Sequence, residues 1–102
     1  MKTKEQIRND LKNIRYYYMK KEKLDVAFAK TGENGILTIA GEYHKIMCKA
    51  SPQLYDVYVS LYVRGITQES TAEELDYSTF YIYKLNNRLI NFLYSAFNSD
   101  DL

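Results

Sequence analysis

The sequence predicts a single all-α domain of about five helices, and three observations support that prediction. Apolar residues make up 46% of the 102-residue chain, which is typical of a folded domain with one hydrophobic core. They recur at intervals of three and four residues, the spacing of one face of an α-helix. Only four glycines and one proline interrupt the chain, whereas a β-sandwich or barrel needs a turn about every eight to twelve residues.

The first half of the chain predicts two helices. Thr3 and Gln6 have the spacing of a capping box, which starts a helix over about 4–30. Its apolar stripe consists of Ile7, Leu11, Ile14, Tyr18, Leu24 and Phe28. Two glycines and an asparagine within 31–35 predict a loop, and apolar residues at helical spacing predict a second helix over about 36–50. We expect a helical pair over 1–50.

The second half predicts three more helices, which together form a helix-turn-helix region over 52–97. Ser51 and Pro52 start the third helix, about 52–64, whose nearly continuous apolar surface places it at the centre of the fold. Gly65 ends it in a left-handed conformation. The fourth helix, about 68–75, is capped by Thr67, and the fifth, about 79–97, by Ser78. The polar tail over 98–102 is expected to fray.

The fourth and fifth helices have the order and loop length of a helix-turn-helix motif. The small Ala72 allows close helix packing, and 76–78 is the turn. The expected inner face of the fifth helix consists of Ile82, Leu85, Leu89, Phe92 or Leu93, and Ala96. The positions left for its outer face, near its start, are Thr79, Phe80, Tyr83, Lys84 and Asn87. A recognition helix contacts base edges with that part of its surface.

The stretch 55–97, about 43 of the 102 residues, resembles the helix-turn-helix of sigma factor region 4. More specifically, it resembles the small ArpU-like and RinA-like late transcription regulators of Gram-positive phages. The residues that match the family pattern are Gly65, Thr67, Ala72, Glu73, Leu75, Ser78, Ile82, Lys84 and Arg88. The resemblance implies a double-stranded DNA-binding regulator, encoded by a phage or prophage and located in the bacterial cytoplasm. RNA polymerase is a further candidate partner.

Three features depart from that family pattern. Thr71 stands where an isoleucine or valine normally enters the core, and Asp76 replaces the usual glycine of the turn, which requires tolerance of positive φ. Phe80 and Tyr81 make the start of the fifth helix unusually aromatic. An alternative function therefore stays open, in which the motif is a packing unit and its aromatic surface binds RNA polymerase or another phage or host protein.

The expected DNA-binding residues divide into three groups. Lys84 and Arg88 are candidate phosphate ligands, and Asn87 has the amide that pairs with an adenine edge. Thr79, Phe80 and Tyr83 are candidate base contacts, with Phe80 placed against a thymine methyl. Ser78 is first of all a helix cap and secondarily a phosphate contact. Each of these side chains is also compatible with a solvated helix surface.

Charge and tyrosine content suggest that two copies act together. Residues 1–30 carry a local net charge of +5 and residues 31–102 one of −4, so the whole chain has too few cations for tight binding as a monomer. Basic residues of the first helix are candidate nonspecific phosphate contacts: Lys12, Arg15, Lys20, Lys21 and Lys23. Tyr16, Tyr17 and Tyr18 point in three directions on one helix, which favours a homodimer through that helix. The alternative is that other helices of the same chain flank it.

The remaining features exclude several function classes. A single cysteine precludes an internal disulfide and fits a reducing compartment. His44 and Cys48 supply only two metal ligands, and no nucleophile has an evident orienting base, so we expect no metal, cofactor or catalytic residue. The longest nearly uncharged stretch is too short to cross a membrane, and no signal peptide pattern opens the chain.

Overall fold

The computed structural model of the chain describes the backbone of residues 1–31 and 34–99 and the side chains of residues 1–20 and 35–99. Within these residues the chain forms five α-helices and no strand, which confirms the all-α prediction. The helices are α1 (Lys4–Thr31), α2 (Asn34–Met47), α3 (Pro52–Tyr58), α4 (Gln68–Leu75) and α5 (Thr79–Phe97). A π-helical turn (Val59–Val63) continues α3. Buried apolar side chains from all five helices form one cluster.

The start of α1 is the predicted capping box. The main-chain amide of Gln6 donates to Thr3 Oγ1 at 3.1 Å, and the main-chain amide of Thr3 donates to the side-chain Oε1 of Gln6 at 2.8 Å. The predicted apolar stripe is buried at Ile7, Leu11 and Ile14. The next buried residue of this stripe is Tyr17, whereas the sequence predicted Tyr18. Tyr17 is only 7% exposed, whereas Tyr18 is half-buried. Leu24 and Phe28 lie outside the side chains described.

Helix α2 begins and ends earlier than the sequence predicts. It spans Asn34–Met47 rather than 36–50, and Thr31 belongs to α1, so little of the expected loop over 31–35 remains; Gly32 and Glu33 lie outside the described residues. Ser51 is extended, with φ −61° and ψ 152°, because a residue before proline avoids the helical region, so α2 cannot continue into α3. The last carbonyls of α2 accept hydrogen bonds from Lys49 and Ala50 at 3.0 Å.

The third helix is central as predicted but is not a uniform α-helix over 52–64. Ser51 caps it by accepting the Leu54 amide, and it packs against each of the other four helices. From Val59 the hydrogen bonds widen, so that the Arg64 amide reaches the Val59 carbonyl at 2.7 Å. Such a π-helical turn accommodates one extra residue within a helix. Gly65 then ends the segment with φ +68°, in the left-handed conformation that the sequence predicts.

The two ends of the described chain meet, which corrects the expectation of a frayed tail at Asn98. Its side-chain amide donates to the Lys2 carbonyl at 2.9 Å, and its Oδ1 accepts from the Lys2 amide at 3.3 Å. Lys2 Nζ forms an ion pair of 2.8 Å with Asp10, which also accepts the Tyr43 hydroxyl at 2.7 Å. This network links α1, α2 and the end of α5. Residues 100–102 lie outside the described part.

Candidate nucleic-acid interface

A short turn joins α4 to α5, and the residues at the helix ends account for its geometry. Thr67 Oγ1 accepts the Ser70 amide at 3.0 Å and thereby starts α4. Asp76 ends it in the left-handed conformation, with φ 61° and ψ 43°, which aspartate tolerates better than most residues. Ser78 Oγ then accepts the Tyr81 amide at 3.1 Å and starts α5. The predicted caps at Thr67 and Ser78 and the positive φ at Asp76 are all present.

The inner face of α5 fixes the direction of its outer face. Ile82, Leu85 and Leu89 are fully buried, as predicted, and of the two alternatives Leu93 is buried while Phe92 is half-buried. Ile90, which the sequence analysis did not place inside, is 3% exposed. Beneath α5, Thr71 is also fully buried, and its hydroxyl donates to the Thr67 carbonyl at 2.9 Å. A threonine therefore occupies the expected isoleucine position without an unpaired hydroxyl.

The outer face of α5 presents every residue of the predicted DNA-binding set to solvent. The exposed residues are Ser78, Thr79, Phe80, Tyr83, Lys84, Asn87 and Arg88. Two of them are aromatic rings with unusually large exposure, 68% for Phe80 and 56% for Tyr83. Lys84 Nζ lies 5.0 Å from the centroid of the Phe80 ring, a cation–π distance. Lys84, the candidate phosphate ligand, and Phe80, the candidate thymine contact, therefore lie against each other.

Tyr81 does not belong to this exposed surface, contrary to the sequence-based expectation. It is half-buried and stacks edge-on against Tyr77, with ring centroids 5.0 Å apart. Gln53 Nε2 donates to the hydroxyls of both tyrosines, at 3.1 and 3.3 Å. These contacts attach the start of α5 to the start of α3. This role of Gln53 was not predicted, because a single glutamine on a helix carries no pattern that reveals its partner.

The surface of α4 and α5 carries both negative and positive side chains. Glu69, Glu73 and Glu74 on α4 are exposed, and α5 adds only two cations, Lys84 and Arg88. Arg64 forms a bidentate ion pair with Glu74, at 2.7 and 3.0 Å. The hydrogen bonds of this pair hold the pKa of Glu74 below its usual value and raise the pKa of Arg64. Because the pair is exposed, its contribution to folding stability is small.

Helix α1 contacts the segment before α4 at Gly65. The contact is made by Arg15, which was predicted to be a nonspecific phosphate contact. Arg15 is half-buried, and its Nη2 donates to the Gly65 carbonyl at 2.9 Å, so it holds the chain before α4 instead of being a free phosphate ligand. Lys12 is exposed, and Lys20 Nζ lies 5.9 Å from the centroid of the Tyr16 ring. Lys21 and Lys23 lie outside the side chains described.

The remaining cluster of reactive groups is His44 with Cys48. The Cys48 sulfur lies 3.6 Å from His44 Nε2, and both residues are exposed. Among the side chains described, no group of three or more His, Cys, Asp or Glu is placed to hold a metal ion. The helices in the described ranges also include none that is long and apolar enough to span a membrane.

Comparison with protein-family models, with curated proteins and with solved structures gave no match to this chain. Function is therefore inferred from the geometry of α4, the turn and α5.

Proposed function

We propose that the chain is a double-stranded DNA-binding transcriptional regulator, of the kind encoded by phages and prophages, in which α5 is the recognition helix. The observation that carries this proposal is the two-sided character of α5. Its positions 82, 85 and 89 are fully buried, while the seven candidate contact residues around them are all exposed. A helix held rigidly from one side, with polar and aromatic groups on the other, is suited to the major groove.

The dimensions of this face fit a short stretch of duplex. Thr79 and Arg88 are nine positions apart, which corresponds to about 14 Å along a helix axis, or about four base-pair steps. The face therefore reaches the bases of one half-site and the phosphates beside it. Thr79, Phe80, Tyr83 and Asn87 lie among the base contacts, and Ser78, Lys84 and Arg88 contact phosphates.

The charge distribution argues for two copies on one DNA site. The exposed carboxylates of α4 repel phosphates, and two cations on α5 give a single copy little affinity. Two copies present two recognition helices to half-sites about one helical turn apart. Tyr16 and Met19 on α1 are 58% and 54% exposed, and they supply apolar surface for a homodimer contact.

The experiment is a fluorescence-anisotropy titration of a mixed-sequence duplex at about 50 and about 200 mM salt. Two cationic phosphate contacts, from Lys84 and Arg88, predict a loss of roughly 12-fold in affinity between these salts, and four such contacts, from two copies, roughly 150-fold. The Lys84→Ala/Arg88→Ala variant should bind more weakly and with a flatter salt dependence. Absence of binding at the lower salt, or an unchanged affinity of this variant, would contradict the proposal.

A second candidate function is a protein-interaction module, and a specific observation favours it. Phe80 and Tyr83 are the most exposed rings of α5, and the acidic surface of α4 lies on the same motif. Exposed aromatic side chains near charged groups are typical of protein interfaces. In that case RNA polymerase or another phage or host protein is the partner. Phe80→Ala should then reduce partner binding at all salt concentrations, while removal of Lys84 and Arg88 has little effect.

A further inference from the structure

A second surface, remote from the outer face of α5, is an open groove of about 520 Å³ between α2 and the last turns of α5. Its floor is apolar and consists of Ile46, Phe92, Ala96 and Phe97. Its rim is polar and includes Lys45 and Glu42 on α2 and Lys49 in the turn that follows α2. An apolar floor with a few charged groups at the edge is the general character of a binding site.

The floor of this groove is held in place from beneath. The Phe97 ring packs against Tyr43, with centroids 4.9 Å apart, and Lys2 Nζ lies 5.3 Å from the Phe97 centroid. The next residue, Asn98, is hydrogen-bonded in both directions to the main chain of Lys2. A preformed site requires little ordering when a ligand binds, so more of the contact energy appears as affinity.

The rim determines the charge of the occupant. Lys45 and Lys49 are both exposed, and neither forms an ion pair with any of the side chains described. Two unpaired ammonium groups at one edge of an apolar groove complement carboxylates next to apolar side chains. The groove is open to solvent and has several apolar side chains within it, which suits a peptide segment.

We propose that this groove docks a short amphipathic segment of a partner protein, with apolar side chains on the floor and acidic side chains against Lys45 and Lys49. The site is independent of the proposed DNA contact. Phe80 and Phe92 are twelve positions apart on α5, about 18 Å along the helix axis, so both surfaces can be occupied at once.

The probe is a random dodecamer peptide library displayed on phage and selected against the whole chain. Enriched peptides are synthesised with a fluorescent label, and their affinities are measured by anisotropy. We expect enrichment of peptides in which Asp or Glu stands beside Leu, Ile or Phe. Their affinity should fall about tenfold or more in Ala96→Glu, which places a carboxylate in the groove, and in Lys45→Glu/Lys49→Glu.

Controls separate this proposal from the DNA function and from nonspecific charge effects. Arg8→Glu/Lys12→Glu makes the same change in net charge on the exposed surface of α1 and should leave peptide affinity unchanged, as should Lys84→Ala/Arg88→Ala. Circular dichroism checks that each variant is folded. No enrichment, enrichment of basic peptides, or equal binding to Ala96→Glu would overturn the proposal. Loss of a homodimer in Ala96→Glu would also overturn it, because the occupant would then be a second copy.

Discussion

The guanidinium of Arg15 donates a hydrogen bond of 2.9 Å to the main-chain carbonyl of Gly65. Gly65 is the residue at which the central helix ends, and its left-handed backbone turns the chain towards α4. Met19, one turn further along α1, lies so close that a Cβ atom on Gly65 would be 2.9 Å from its Cγ. The first helix thus sets the position at which the two-helix motif leaves the core.

Gly65→Ala should therefore destabilise the fold for two reasons. Its positive φ costs an alanine about 1–2 kcal/mol, and the new methyl group must displace Met19. Urea unfolding measures the effect, and Met19→Ala in the same chain should relieve only the steric part. Gly41→Ala is the matched control, because Gly41 lies within α2 with open space around it and should gain up to about 1 kcal/mol. Equal effects of the two substitutions would exclude this explanation.

Removal of the Tyr58 hydroxyl and removal of the Tyr43 hydroxyl should change the free energy of unfolding in opposite directions. The Tyr58 hydroxyl is buried and has no hydrogen-bond partner among the groups described, whereas the Tyr43 hydroxyl donates to Asp10 at 2.7 Å. Tyr58→Phe should stabilise the protein by up to about 1 kcal/mol, and Tyr43→Phe should destabilise it by about 1–2 kcal/mol. The free energies of unfolding in urea decide between them. A loss in Tyr58→Phe as large as that in Tyr43→Phe would mean that the Tyr58 hydroxyl is bonded.

Alkaline pH should weaken the fold through Tyr62. Burial raises the pKa of this phenol to about 12. The unfolded chain loses this proton near pH 10 while the folded chain retains it. The stabilisation is therefore complete below about pH 10 and is lost as the pH rises towards about 12, by up to about 1.4 kcal/mol per pH unit. Unfolding free energies measured across this range should fall less steeply in Tyr62→Phe, and an identical slope would count against the assignment.

The sequence predicted the parts of the fold that local chemistry controls. Helix caps at Thr3, Ser51, Thr67 and Ser78, and the left-handed Gly65, depend on neighbours within a few residues, and all were predicted correctly. Contacts between distant segments were not. Nothing in the order of residues indicates that Arg15 meets Gly65, or that Asn98 meets Lys2, because both pairings depend on how complete helices pack.

The same division applies to the candidate site. The exposed face of α5 could be predicted because helical periodicity alone separates it from Ile82, Leu85 and Leu89. Tyr81 was misplaced because its half-buried position depends on Gln53 of α3, a contact across 28 positions. The π-helical turn at Val59–Val63 was missed for a similar reason, since its sequence is equally compatible with a regular α-helix.

Ser78→Asp should separate folding from DNA binding. Aspartate caps a helix as well as serine does, and its charge is favourable at a helix N-terminus, so unfolding free energy should change by less than about 0.5 kcal/mol. DNA affinity should fall, because the carboxylate faces a phosphate in the proposed complex. Thr3→Asp, which places the same residue at the cap of α1, is the control and should bind DNA like the original chain. The DNA contact at Ser78 would be refuted by equal affinities of the two variants.

Phe80 permits the sharpest test of base contact. If its ring covers a thymine methyl, replacing thymine by uracil in a duplex selected by the protein removes one buried methyl group, worth about 0.8 kcal/mol or roughly a fourfold loss of affinity. Phe80→Ala should bind the thymine and uracil duplexes equally. A direct comparison of the four affinities is needed, because Lys84 lies over the Phe80 ring and the substitution also frees its ammonium group. An effect of uracil that persists in Phe80→Ala would assign the methyl contact to another residue, and no effect in either protein would remove thymine contact from the mechanism.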